Sequence, residues 1–218
     1  GLVGYMSAGS QLRDSTLTIE SLNGLEGLGG AVGFCANGVV TDITATVEDM
    51  TSSTSPSYAG GLIGEMDILC QLSFSEVTIN DQILTQGAFG GAVGYLDSGV
   101  VRDVDVTINS SITTTITGGD FGGLAGLVDE AVIRDSSVTI NQDITVAGDN
   151  AGGLVGSATS QFMAENLSVN LQSLTSADAF IAGAFGLISA TDADIENISV
   201  RTTAVSYTHL TLPTSPKV

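Results

Sequence analysis

The side chains in this sequence best suited to chemistry are carboxylates. Asp103 and Asp105 stand two residues apart inside one alternating apolar block, and Asp194 and Glu196 do the same further along. A carboxylate pair of that kind can share the acid and base or nucleophile roles of glycoside hydrolysis. One reading is therefore a β-helical enzyme that degrades polysaccharide. The competing reading is a polar outer strand face, and it fits better: the two pairs lie three repeat units apart, and the residues matching Asp105 by sequence spacing are Thr16, Thr44, Glu76, Ser137, Asn166 and Asn197. No catalytic residue is assigned.

Other chemistries lack their parts. His209 and Lys217 are the only histidine and lysine, and both fall in a tail that breaks the repeat. Without them the repeat region has no imidazole base and no Schiff-base amine. Cys35 and Cys70 lack the paired spacing of a zinc site. No Asp-x-Asp-x-Asp-Gly calcium loop occurs; the nearest approach, Asp192-Ala193-Asp194-Ile195-Glu196, continues with Asn197 where the turn glycine belongs. No cofactor is expected, with calcium the one cation that the acidity favours.

The most regular polar feature is a column of hydroxyls, Thr18, Thr46, Thr78, Thr107, Thr139, Ser168 and Ser199. A ladder of this kind can face a ligand, either a glycan or ice. Ice binding wants uniform hydroxyl and methyl rows, and Glu76, Asp105, Asn166 and Asn197 interrupt the neighbouring column.

What positions these residues is a repeat. A corner of the form Gly-apolar-apolar-Gly begins at Gly1, Gly30, Gly61, Gly91, Gly123, Gly153 and Gly183, at separations of 29, 31, 30, 32, 30 and 30 residues. Self-similarity at that period marks a stacked array. After each corner comes a polar turn and an eight-residue block such as Val101 to Ile108, with counterparts ending at Ile19, Val47, Ile79, Ile140, Val169 and Val200. Val106 and Ile108 fall on one face and Thr107 on the other, as a strand requires. A second short run follows, seen at Ile83-Leu84-Thr85, Ile112 to Ile116, Ile144-Thr145-Val146 and Leu174-Thr175, and the corner itself is expected to form a third strand. The expected fold is all-β: a β-solenoid, like a parallel β-helix, of about seven coils with a repeat of about 30 residues.

Several columns support stacking. Glu20, Glu48, Asn80, Asn109, Asn141, Asn170 and Arg201 follow the blocks, and the asparagines are expected to sit in a left-handed turn and to bond along the axis. Arg13-Asp14, Arg102-Asp103 and Arg134-Asp135 are expected to pair on the surface. Cys35 and Cys70 lie five and nine residues after their corner glycines. They read as small buried hydrophobes, with a bridge between neighbouring coils as the alternative.

The domain reading is a solenoid over 1–204 and a non-repeat tail over 205–218. The string 205–214 resembles translated adapter read-through, so the tail is expected not to be native. The chain opens directly on a corner, as a piece of a longer array would, and flanking domains are expected. There are 24 acidic residues against 5 basic ones, a formal charge of −19. That charge disfavours nucleic acid as a partner, and no apolar run is long enough to insert in a membrane.

The corner Gly152-Gly153-Leu154-Val155-Gly156 followed by a Val-Thr-Ile type strand resembles the GLUG repeat of bacterial surface and secreted proteins. The resemblance covers residues 1 to about 204, with Ala182 replacing the first glycine in the last copy. It implies an extracellular or cell-surface, adhesin-like module with no catalytic residues of its own, whose partners are host or environmental glycans or proteins.

Overall fold

The computed structural model describes residues 1–52, 57–110, 113–114, 119–147, 149–176 and 180–205. Among them every regular element is a strand. The strands form three parallel sheets, wound as a β-solenoid of about six turns with a spacing of about 31 residues. The tail 206–218 and part of the run from Ile112 to Ile116 lie outside the described residues.

The corner sheet has seven strands, from Val3–Met6 through Val93–Asp97 to Phe185–Ile188. Its register runs Val3, Val32, Ile63, Val93, Ala125, Val155 and Phe185, one residue per coil. The short sheet has six strands, among them Ala88–Gly90 and Asn150–Gly152, each just before a corner. The first two residues of the corner are therefore the turn between two strands and its last two open the corner-sheet strand, where the sequence reading makes the whole corner a strand. The turn has to be tight: a Cβ on Gly91 would collide with the carbonyl oxygen of Gly123 and lie 2.5 Å from Val106 Cγ1.

The long sheet carries the eight-residue blocks and the runs after them, which merge into single strands in places, such as Val39–Ser52 and Phe162–Ser176. Val104, Val106 and Ile108 point into the lumen and are buried, while Asp105 is exposed. Successive coils supply equivalent aliphatics, and Phe89 and Phe121 stack among them with ring centroids 6.0 Å apart. One coil cannot shield its own apolar side, so burial depends on the neighbours.

Every long strand bends at one left-handed residue: Asp14, Asp42, Phe74, Asp103, Asp135, Asn166 and Asn197, with φ between 48° and 56°. Short polar side chains accept this conformation and bulky ones resist it. The asparagines that follow the blocks are not left-handed, which corrects the sequence reading. Three of them do bond along the axis: Asn141 Nδ2 donates to Asn109 Oδ1 (2.8 Å), Asn109 Nδ2 to Asn80 Oδ1 (3.0 Å), and Asn80 Nδ2 to Glu48 Oε1 (3.1 Å). A second ladder runs from Asn197 through Asn166 to the Asp135 carboxylate.

Beside the bend a column alternates, reading Ser15, Ile43, Ser75, Val104 and Ser136, with Ser15 half-buried and the rest buried. The Ser75 hydroxyl donates to Ser73 O (2.8 Å) and accepts the Ile43 amide from the coil before it (3.1 Å). Ser136 does the same with Arg134 O (2.8 Å) and the Val104 amide (3.1 Å). The amides left unpaired where the bend interrupts the ladder are satisfied this way.

Candidate functional site

The bend fixes the register of the hydroxyl ladder. Thr18, Thr46, Thr78, Thr107 and Thr139 stand in line on adjacent coils. Thr139 then pairs with Asn170, and Asn170 with Arg201. Ser168 and Ser199 belong to the next column, continuing Thr16, Thr44, Glu76, Asp105 and Ser137. Asn166 and Asn197, matched to Asp105 by sequence spacing, are the bend residues. Val169 likewise pairs with Val138 rather than with Ile140. The cause is that in the sixth and seventh coils the apolar-hydroxyl-apolar triplet comes two residues nearer the bend than in the first five, so counting back from the triplet gives a slip of two.

The carboxylate pairs remain apart. Asp103 meets Arg102 Nε at 3.2 Å, and Asp105 accepts a hydrogen bond from Ser137 Oγ. Asp194 and Glu196 border an open groove of 140 Å³ with Glu165 and Met163. Among the described residues no group of three or more His, Cys, Asp or Glu is arranged to hold a metal ion. Of the three expected Arg-Asp pairs, the ion pair forms at Arg102 alone among the described residues. Arg134 Nε is buried without a partner, and Asp135 is engaged by Asn166.

Two further features gather unusual side chains. The first is the seam between the short sheet and the corner sheet. Tyr58 and Tyr95 approach with ring centroids at 4.8 Å, and Tyr5 stacks on Phe34 at 5.2 Å. Burial, together with Asp67, Asp97 and Glu26, raises the Glu65 carboxyl above its ordinary value. Burial and the nearby acids, Asp97 foremost, push the Tyr95 phenol up to about 12. Both shifts report a desolvated, negative environment. Further along the same seam Asp120 accepts from Asn150 Nδ2 and from Ser157 Oγ, each at 2.6 Å.

The second feature is the turn from the corner sheet to the long sheet in the third coil. Between the lumen residue Met66 and Gln71 this coil has four residues, where its neighbours have three: Cys35 to Val39 below and Leu96 to Val100 above. The extra residue gives the turn a second exposed position, so that Ile68 and Leu69 both lie outside, while Cys70, level with the buried Gly38 and Gly99, faces the lumen. Cys70 there forms a disulfide with Cys35, with the Cα atoms 6.1 Å apart and both sulfurs buried. This corrects the reading of the two cysteines as separate hydrophobes. Their unequal offsets reflect different places in the coil: Cys35 pairs with Met66 on the corner sheet, whereas Cys70 stands level with Gly38 in the following turn, so the bridge joins a strand of one coil to the turn of the next. Leu69 adopts φ of 62° and Phe74 φ of 48°, at positions where other coils place Asn, Ser or Glu and Asp or Asn. All three apolar side chains are exposed: Ile68 58%, Leu69 63% and Phe74 52%. Arg102 lies over the Phe74 ring, 4.9 Å from its centroid. In the sequence, the signal for this corner is a bulky residue in a column that is otherwise Asp or Asn.

No helix among the described residues is long and apolar enough to cross a membrane. Comparison with known protein families, with curated proteins and with solved structures finds no match.

Proposed function

We propose that this chain is a non-catalytic repeat segment of a secreted or cell-surface bacterial protein, serving as an adhesive surface or as a spacer. The observation that carries the reading is the continuous parallel stack, in which the strands of each coil pair with equivalent strands of the next in all three sheets. Seven strands in the corner sheet give six steps of about 4.8 Å, a rod ~29 Å long over its described length. The Cys35–Cys70 bridge suits an oxidising, extracytoplasmic compartment. The resemblance of the glycine corners to GLUG repeats points the same way.

The test is to display the chain on a non-adherent bacterium and to measure retention on glycan- and protein-coated surfaces. The purified chain is assayed in parallel for reducing ends released from a panel of polysaccharides. Retention without release supports the proposal. Release that disappears in Asp103→Asn or Asp194→Asn overturns it in favour of the hydrolase reading.

A further inference from the structure

We propose that the disulfide-stapled corner of the third coil, formed by Ile68, Leu69 and Phe74, is a docking knob for a basic, amphipathic segment of a partner protein. The proposal rests on the non-catalytic, adhesive reading and gives that reading a place and a partner chemistry.

Four observations converge on this one coil. The turn is longer by one residue than those on either side, and the extra length is what puts Ile68 and Leu69 out in solvent. Two of the three side chains sit on left-handed backbone that bulky L residues avoid, while the equivalent residues of other coils are mostly small or polar. The turn is held from within by the buried Cys35–Cys70 bridge and from without by Cys70 N donating to Asp67 O (3.1 Å) and Leu69 N to Ser98 O (3.2 Å). Exposed apolar side chains held rigidly lose little freedom on binding, which is the property of an anchor residue. Five residues separate Leu69 from Phe74, so the patch spans at most ~16 Å, a width that one amphipathic segment can cover.

Charge selects the partner. Asp42 and Asp103 flank Phe74 in the bend column, Asp67 precedes the knob, Glu76 follows it and Asp97 stands on the next coil. Against these five carboxylates stands one guanidinium, Arg102, already paired with Asp103. A second copy of this acidic chain and an anionic lipid surface would both be repelled, whereas lysines or arginines rimming an apolar stripe would be attracted.

The experiment uses the full chain and two synthetic peptides of equal length and charge, one with a Lys/Leu amphipathic pattern and one with Lys/Ser, titrated calorimetrically at 150 mM salt. Leu69→Asn and Phe74→Asn are the variants; both place asparagine on left-handed backbone that it tolerates, so thermal melts at or above wild type show that the fold is intact. The expected result is binding of the Lys/Leu peptide at least tenfold tighter than of the Lys/Ser peptide, with the preference lost in both variants. Equal binding of the two peptides, or unchanged binding in the variants, overturns the proposal. Binding of wild type but not of the variants to phosphatidylcholine vesicles, with no peptide preference, also overturns it, in favour of a lipid surface. Failure of the adhesive reading itself would show separately, as polysaccharide cleavage by wild type and variants alike.

Discussion

Replacing both cysteines of the bridge, Cys35→Ala with Cys70→Ala, tests how the third coil is held. The bridge joins residues 35 apart in sequence. In the chain-entropy treatment, closing a loop of that length restricts the unfolded chain by an amount worth about 3.8 kcal/mol at 25 °C. The alanines fit the lumen without adding bulk, so the expected loss is about 3 to 4 kcal/mol, a large share of the ~5 to 15 kcal/mol typical of a folded domain. The coils pair only with their neighbours, so the loss should be local: hydrogen exchange should quicken over 28–79 well before it does beyond 120. Urea unfolding followed by circular dichroism, with exchange mapped by mass spectrometry, reads both effects. A midpoint equal to that of wild type under oxidising conditions would refute the reasoning. So would alkylation of both thiols in the unreduced, denatured wild-type chain.

Other perturbations isolate other parts of the fold. Asn109→Ala removes one bond donated to Asn80 and one accepted from Asn141 and is expected to cost about 1 to 2 kcal/mol, read as a lower urea midpoint. Gly91→Ala places a methyl against the Gly123 carbonyl and Val106, and is expected to cost more than about 3 kcal/mol or to abolish soluble expression; a melt within a degree of wild type would contradict the close approach. Leu69→Asn relieves the left-handed backbone at little loss of burial and is expected to stabilise by about 0.5 to 1 kcal/mol in thermal melts. For Glu65 the folded carboxyl holds its proton more tightly than the unfolded one, so its ionisation weakens the fold as pH rises through the raised value. Glu65→Gln is therefore expected to be more stable than wild type at pH 7.5, with the gap closing as pH falls below the ordinary carboxylate value of 4.5; a gap that widens on acidification would show the sign to be wrong.

The stack, its period and the inward placement of Val106 and Ile108 are legible in the sequence because glycine spacing and strand alternation report directly on coil length and strand face. The register of the last two coils is not. It depends on which residue takes the left-handed bend, and Asp135, Asn166 and Asn197 look like ordinary surface polars until their backbone is seen. The bridge is hidden because it joins positions that are not equivalent, a corner-sheet strand in one coil and the following turn in the next, so counting from the corner glycines does not align the two cysteines. The candidate docking corner depends on one residue added to that turn, which the glycine spacing does not isolate. The glycine corner reads as a strand because its middle residues are apolar, and its second half is one, yet the close approach at Gly91 makes its first half a turn.

The alternation of Ser15, Ile43, Ser75, Val104 and Ser136 has a consequence for how such a rod can lengthen or shorten. Coils that look equivalent by their glycines come in two kinds, one contributing a hydroxyl at the bend and one contributing an amide in need of it. Excising a single coil from this part of the rod would set two of the same kind against each other, leaving either a buried amide without an acceptor or two hydroxyls in a space made for one. Excising two restores the match. Within the first five coils an excision that keeps the match therefore removes a pair of about sixty residues, whereas beyond Ser136 the column continues Leu167 and Ile198, two of one kind in succession.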